Sequence, residues 1–271
     1  MSNLEVRFAF VEMLFALAIA EVAVAFSHLV SIDRALFLKI PAIAHLLLAT
    51  LLIAASWLGW STSRWRSTSR SDLASPFTWD FIGLLLDVLL VVIYFILVRL
   101  ADVSEAVPYD LLPPSAAPEA LWIARIFGIY AVWDLVSDVI KEPAIGWRVR
   151  SWFRVDALKI SLACMACSLL CTLLASTVYL RAEKFGTLSP GWLYGHNDQG
   201  VMHIVWLDCA LACVVLLFRA LKNSGEALIW RHVTSIHRFE AFKIERKVDY
   251  HEDRWAALLS LGYMLFLVLG W

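Results

Sequence analysis

Charged side chains are scarce in this chain of 271 residues, and that scarcity is the first guide to its class. Asp, Glu, Lys and Arg make up 17% of the residues, whereas soluble domains carry about 25%. Hydrophobic residues make up 61%, and the mean hydropathy is +0.72. The net charge of −1 provides no basic excess that would attract nucleic acid. The composition therefore excludes an ordinary soluble domain and favours a protein of the lipid bilayer.

Catalytic and cofactor-binding motifs are also missing from the sequence. It has no phosphate-binding Gly-x-x-x-x-Gly-Lys loop, no Gly-x-Ser-x-Gly and no His-Glu-x-x-His. The last apolar stretch has no lysine that could bind retinal, and no Asn-x-Ser/Thr glycosylation site occurs. We therefore predict no catalytic residue and no cofactor, and we expect a bacterial inner membrane protein.

Seven apolar stretches are present, and most have the ~20 residues that a helix needs to cross a ~30 Å hydrocarbon core. A transmembrane helix satisfies its own backbone hydrogen bonds, which an isolated strand in lipid cannot do. The stretches are residues 8–30, 37–60, 79–98, 119–140, 156–180, 201–221 and 255–271. The sequence thus predicts an all-α polytopic bundle of about seven spans that forms one transmembrane domain.

The positive charges are distributed unevenly among the connections. Fifteen Lys and Arg residues lie in or beside the three even-numbered connections, against five in the odd-numbered ones. Positively charged loops stay in the cytosol. This bias predicts a cytosolic N-terminus and an external C-terminus.

The longest cytosolic connection, residues 222–254, is basic and has an amphipathic helical pattern. Apolar residues recur in it every three or four positions, with Arg, Lys and Glu between them. Such a helix lies at the inner headgroup layer or binds a cytosolic partner. The residues predicted to form this surface are Arg238, Lys243, Arg246 and Lys247.

Several ionisable residues fall inside the predicted spans, where they usually face protein or water. The predicted ion pathway contains the acidic residues Glu12, Glu21, Asp87, Asp134 and Asp208. One interpretation is a hydrated cation or proton route with an acidic inner half. The other is local pairing, with Arg125 forming a structural ion pair with Glu21 or Asp208.

Cysteine and histidine are the remaining metal-binding residue types in the spans. Cys164, Cys167 and Cys171 form a stripe on the fifth stretch, and Cys209 and Cys213 form one on the sixth. Small apolar cysteines suit close helix packing, so we assign them no metal. The outer or external histidines are His28, His45, His196 and His203. No spacing among these histidines selects a pair of ligands, so no metal site is predicted.

The first stretch resembles a known family. The run from Phe10 to Ala20 is similar to the first helix of the lysosomal and bacterial potassium channels marked by a Phe-Ser-Asp motif. Phe10 matches the Phe of that motif, Glu12 stands at its Asp, and Val11 replaces its Ser. The resemblance covers about 60 residues. It implies a six-helix unit with a cytosolic N-terminus, and a pore lined by the first helices of an oligomer. The constriction would be at Leu17.

Three functions remain open from the sequence, of which a haem or metal oxidoreductase is the third. The first is a homo-oligomeric cation channel or transporter whose pathway includes Glu12, Leu17 and Glu21. The second is a non-catalytic membrane subunit or signalling anchor that binds a cytosolic or membrane partner through residues 222–254.

Overall fold

The computed structural model describes residues 3–33, 36–64, 79–101, 115–136, 151–188 and 198–236. In these ranges it contains six α-helices and no strand. The helices are α1 (Asn3–Ser31), α2 (Leu36–Arg64), α3 (Trp79–Leu100), α4 (Ala116–Asp134), α5 (Ser151–Leu188) and α6 (Asp198–Ile236). The predicted seventh span, residues 255–271, lies outside the described residues.

Five of the six helices are long and apolar enough to cross a membrane. The spanning segments are Ala9–Ser31, Lys39–Ser61, Phe81–Leu100, Cys164–Lys184 and Met202–Lys222. The chain is therefore an integral membrane protein with a helical bundle, as predicted. The remaining helix, α4, carries three ionisable residues, Glu119, Arg125 and Asp134, within 19 residues. It packs along α5 and also contacts α3 and α6.

The helix ends differ from the sequence-based boundaries. Helix α6 does not stop at residue 221 but continues to Ile236, so it includes the start of the predicted 222–254 connection. Helix α5 likewise runs to Leu188, into the predicted external loop. Hydropathy marks where lipid-compatible sequence ends, whereas a helix continues through polar residues until a breaker stops it.

The six helices form a closed ring in the order α1, α2, α6, α5, α4, α3, in which each helix contacts the next. Additional contacts join α2 to α3 and α4 to α6 across the ring. Small residues allow neighbouring helices of the ring to approach closely. Ala116, Ala120 and Ala124 follow one another at four-residue intervals on α4 and are all buried. Cys164 and Cys171 lie on a buried stripe of α5, where small side chains let helices pack closely in lipid.

Local hydrogen bonds satisfy backbone carbonyl groups at a helix end and partly buried hydroxyl groups within the helices. Lys39 Nζ donates to the carbonyl groups of Val30 (3.3 Å) and Ile32 (2.5 Å), at the end of α1. On α5, Thr172 and Ser176 each donate to the carbonyl four residues earlier. A hydroxyl that is satisfied by its own helix adds no unpaired donor to the bundle.

Candidate functional site: a buried triad and a polar cavity

Helices α2, α4 and α6 place polar side chains at two levels of one interface. The paired residues are His45 and Ser56 on α2, Glu119 and Tyr130 on α4, and Asp208 and Arg219 on α6. Each pair is eleven residues apart. Eleven residues turn an α-helix to within about 20° of three full turns and advance it by about 16 Å. Because the same order recurs on each helix, α2, α4 and α6 run in the same direction.

At the first level, His45, Glu119 and Asp208 form a cluster, called the triad below. His45 Nδ1 lies 2.8 Å from Asp208 Oδ2, and His45 Nε2 lies 2.9 Å from Glu119 Oε2. The three side chains are almost completely shielded, with exposures of 1%, 0% and 2%. One nitrogen or oxygen atom from each residue lies within 4.8 Å of those from the other two.

Glu119 reaches the triad because it lies in the first turn of α4. Ser115 caps this helix, and its hydroxyl accepts a hydrogen bond from the Ala117 amide at 3.3 Å. Pro118 fits in the first turn because the amide groups there have no helical partner. The positive end of the helix dipole also favours a carboxylate at this position.

The triad has an excess of negative charge and of hydrogen-bond acceptors. Within the described residues, Glu119 Oε2 and Asp208 Oδ2 each contact His45, whereas Glu119 Oε1 and Asp208 Oδ1 accept no hydrogen bond. Two carboxylates about 5 Å apart repel each other by about 3 kcal/mol at an effective dielectric constant of about 20. A charged His45 would offset only one of them. The triad therefore requires a further positive charge, either a proton or a bound cation.

The second level contains a cavity of about 50 Å³, called the lysine cavity below. A buried water needs about 10–15 Å³ by the same measure, so this space accommodates a few water molecules. The polar residues that line it are Ser56, Asp87, Tyr94, Tyr130, Trp133, Arg219 and Lys222. Phe15 and Trp60, which pack with ring centroids 6.1 Å apart, form an apolar wall.

Lys222 is buried in this cavity and is neutralised by Asp134. Its Nζ donates to Asp134 Oδ1, and Ser168 Oγ donates to Asp134 Oδ2 at 2.8 Å. The ammonium group also lies 5.3 Å from the ring centroids of Tyr130 and Trp133. Aromatic faces stabilise a cation at this distance. The acidic inner half predicted from the sequence is therefore matched by a buried base at this position.

Asp87 and two tyrosines complete the polar lining. Trp133 Nε1 donates to Asp87 Oδ1 at 3.1 Å. Tyr94 donates to Ser56 Oγ at 2.7 Å, and the two tyrosine hydroxyl oxygens are 2.9 Å apart. Since Tyr94 uses its proton on Ser56, Tyr130 donates to Tyr94. This one-way chain links α4, α3 and α2.

A layer of apolar side chains separates the triad from the lysine cavity. These side chains are at most 1% exposed: Ala49, Leu52, Ile53, Ile123, Ile126, Phe127, Leu211, Val214 and Val215. Close-packed aliphatic and aromatic groups leave little room for water. The two polar levels thus lie along one axis, and a close-packed apolar layer that excludes water separates them.

The acidic residues predicted on α1 lie away from this axis. Glu12 is exposed on the outer surface of the bundle, and Leu17 is 49% exposed. Glu21 Oε1 lies 2.6 Å from Nη2 of the exposed Arg99. The structure therefore brings together Asp87, Asp134 and Asp208 with the α2–α4–α6 axis, and it places Glu12, Leu17 and Glu21 elsewhere.

Arg125, for which an ion pair with Glu21 or Asp208 was predicted, is exposed on α4. Its guanidinium carbon lies 4.4 Å from the ring centroid of Trp122. Glu21 contacts Arg99, and Asp208 contacts His45. The predicted basic surface of Arg238, Lys243, Arg246 and Lys247 lies outside the described residues.

Sequence reasoning noted His45 and Asp208 separately and did not identify Glu119 as a site residue. Comparing the positions of ionisable residues along the predicted spans would have grouped these three residues, because each lies in the first half of an even-numbered span. Such a comparison does not give the rotation of each helix about its axis, and that rotation brings the three side chains together.

Comparison with models of protein families, with curated proteins and with solved structures found no match to this chain.

Proposed function

We propose that this integral membrane protein transports cations, with the α2–α4–α6 axis as the pathway and the triad as its binding site. The observation that carries the proposal is that two carboxylates, Glu119 and Asp208, share the single imidazole of His45 in an almost completely shielded position. Ionisable groups inside a membrane are costly, and they mark ion and proton pathways more often than they stabilise the fold.

The lysine cavity gives the pathway a second polar compartment. Its charges are balanced, since Asp87 and Arg219 both line it and the ammonium group of Lys222 is paired with Asp134. A cation is therefore attracted to the triad more strongly than to the cavity. The triad is therefore the site that selects the cation, and the lysine cavity is a hydrated space along its route across the membrane.

The apolar layer between the two levels favours a transporter over an open pore. About 16 Å of close-packed helix separates the levels, which is more than half of the ~30 Å hydrocarbon core. Passage through this layer requires the helices to move, so that the triad is exposed to one side at a time. A rocking motion of packed helices around a central site is the usual solution in transporters.

A second pathway, along α1, is supported by one observation. Phe10, Met13, Leu17 and Val24 form an exposed stripe on that helix, at spacings of three, four and seven residues. In a homo-oligomer these stripes would line a shared pore, with Leu17 as a hydrophobic constriction. This is the arrangement that the resemblance to potassium channels implies.

The test is a cation flux assay in liposomes that contain the purified full-length protein. Uptake of K⁺, Na⁺, H⁺, Mn²⁺ and Zn²⁺ is measured for the wild type and for His45→Gln, which removes the imidazole from the triad. His28→Gln, on the exposed face of α1, is the matched control. We expect flux of at least one cation, lost in His45→Gln and retained in His28→Gln. Absence of any flux from folded protein would contradict the proposal and direct attention to the membrane-subunit alternative.

A further inference from the structure

We infer that the triad is a binding site for a divalent transition-metal ion of the Mn²⁺ to Zn²⁺ series. This inference rests on the proposed function and names the class of cation that the pathway selects. It differs from the sequence-based expectation, in which no metal was predicted.

The donor atoms point to this class. An imidazole nitrogen with two carboxylate oxygens suits Mn²⁺, Fe²⁺, Co²⁺ and Zn²⁺. Mg²⁺ and Ca²⁺ prefer sites made entirely of oxygen, and Cu⁺ prefers sulfur ligands. Within the described residues, His45, Glu119 and Asp208 are the one group of three such side chains close enough to share a metal.

The charge balance agrees with a divalent ion. Two carboxylates and a neutral imidazole carry two negative charges, which one divalent cation cancels. A single K⁺ or Na⁺ would leave one negative charge in a site where all three side chains are at most 2% exposed. Since an uncompensated buried charge is costly, a monovalent ion alone is the poorer occupant.

Metal binding requires the carboxylates of the triad to turn towards one ring nitrogen of His45. Ligands at about 2.1 Å from a tetrahedral ion lie about 3.4 Å apart. One donor atom from each residue lies within 4.8 Å of the other two. The two closest contacts involve different nitrogens of His45, with Asp208 at Nδ1 (2.8 Å) and Glu119 at Nε2 (2.9 Å), so a metal bound at one nitrogen requires the carboxylate at the other to turn towards it. Rotation of the two carboxylates would move the donors towards this spacing, because Glu119 Oε1 and Asp208 Oδ1 have no hydrogen bond to break in the described structure.

Three protein ligands leave at least one coordination position open. The Ser115 carbonyl oxygen, 3.4 Å from His45 Nε2, is close enough to contribute or to hold a water molecule. Ser115 itself is exposed, so the triad lies close to the protein surface at this end of α4. An open position and a short route to the surface suit a metal that exchanges more than one that is permanently structural.

The experiment measures metal binding to the purified full-length protein, with its tag removed, in detergent. Mn²⁺ and Zn²⁺ binding is followed by equilibrium dialysis with elemental analysis, and Co²⁺ serves as the absorption probe. Glu119→Gln and Asp208→Asn preserve the size of the triad side chains, and Glu183→Gln, at an exposed position on α5, is the matched control. Thermal unfolding and size-exclusion profiles confirm that each variant is folded.

We expect one ion per chain in the wild type and in Glu183→Gln. Changes around metal ligands already cost 10–100-fold in affinity, so loss of a ligand in either triad variant should weaken binding by about 100-fold or more. Equal competition by Mg²⁺ or K⁺, stoichiometric binding unaffected by the triad variants, or no binding at all would overturn the metal site. In the last case the triad would be a structural hydrogen-bond network.

The flux assay separates this inference from the proposed function. Metal binding at the triad without flux would leave the site standing and remove the transport proposal. Flux of a monovalent cation without metal binding would support the transport proposal and remove the metal site.

Discussion

At the scale of single residues, the molecule contains two kinds of buried charge. Asp134 and Lys222 neutralise each other and are further supported by Ser168 and by aromatic rings. Glu119 and Asp208 share a single imidazole. The first arrangement is complete within the described structure, whereas the second requires a partner. We therefore expect substitutions in the two groups to have different consequences.

Substitutions in the Asp134–Lys222 pair should act mainly on the free energy of unfolding. Asp134→Asn leaves a buried ammonium group and Lys222→Met leaves a buried carboxylate, and each should cost roughly 3–5 kcal/mol. The double variant removes both charges and should recover much of that loss. Denaturant unfolding of the four proteins in micelles measures the coupling between the two sites. Additive losses would show that the two side chains do not stabilise each other.

The sequence identified many of these residues but few of their partners. Asp87, Asp134 and Asp208 stand out as ionisable residues inside apolar stretches. Their partners depend on the rotation and register of neighbouring helices, which a single sequence does not specify. Trp133, for example, is of a residue type that often anchors helices at the membrane interface. In the structure its indole on α4 instead donates a hydrogen bond to Asp87 on the adjacent helix α3.

At the scale of elements, α2, α4 and α6 act as one unit because they are aligned in direction and in register. Hydropathy predicted that helices would occupy most of these positions. It did not predict that α5 and α6 extend to 38 and 39 residues, since helix propensity continues where lipid compatibility ends. The eleven-residue repeat of polar positions is visible in the sequence only once the three helices are known to be neighbours.

The apolar layer between the levels gives a prediction at this scale. Phe127 is fully buried in that layer, where its ring lies 4.9 Å from that of Phe218. Phe127→Asn should hydrate this layer and produce a passive leak of protons or small cations through the bundle. Phe127→Leu keeps the layer apolar and should remain tight. Dye-quenching assays in liposomes report the leak.

Phe26→Asn on the exposed face of α1 controls for the effect of placing an amide in the membrane. A folded Phe127→Asn protein that remains as tight as Phe127→Leu would show that this layer does not seal the pathway.

At the scale of the whole molecule, the structure supports a helical membrane bundle in which the buried polar side chains of the described residues form two levels along one axis. Composition alone was sufficient to predict the class of protein, because lipid imposes strict limits on backbone hydrogen bonding. The orientation in the membrane remains the prediction made from the positive charges. The working pathway is the larger question, because α1 and the α2–α4–α6 axis offer different routes for a cation.

The most direct measurement compares Glu119→Gln with Leu17→Asn in the same proteoliposomes, using the cation that the wild type transports. If the triad binds the transported ion, Glu119→Gln should reduce uptake by at least about tenfold, which corresponds to about 1.4 kcal/mol of lost binding. Leu17→Asn should then leave uptake within about twofold of the wild type. Unchanged uptake in folded Glu119→Gln, with altered flux or selectivity in Leu17→Asn, would contradict the account and place the pathway on α1.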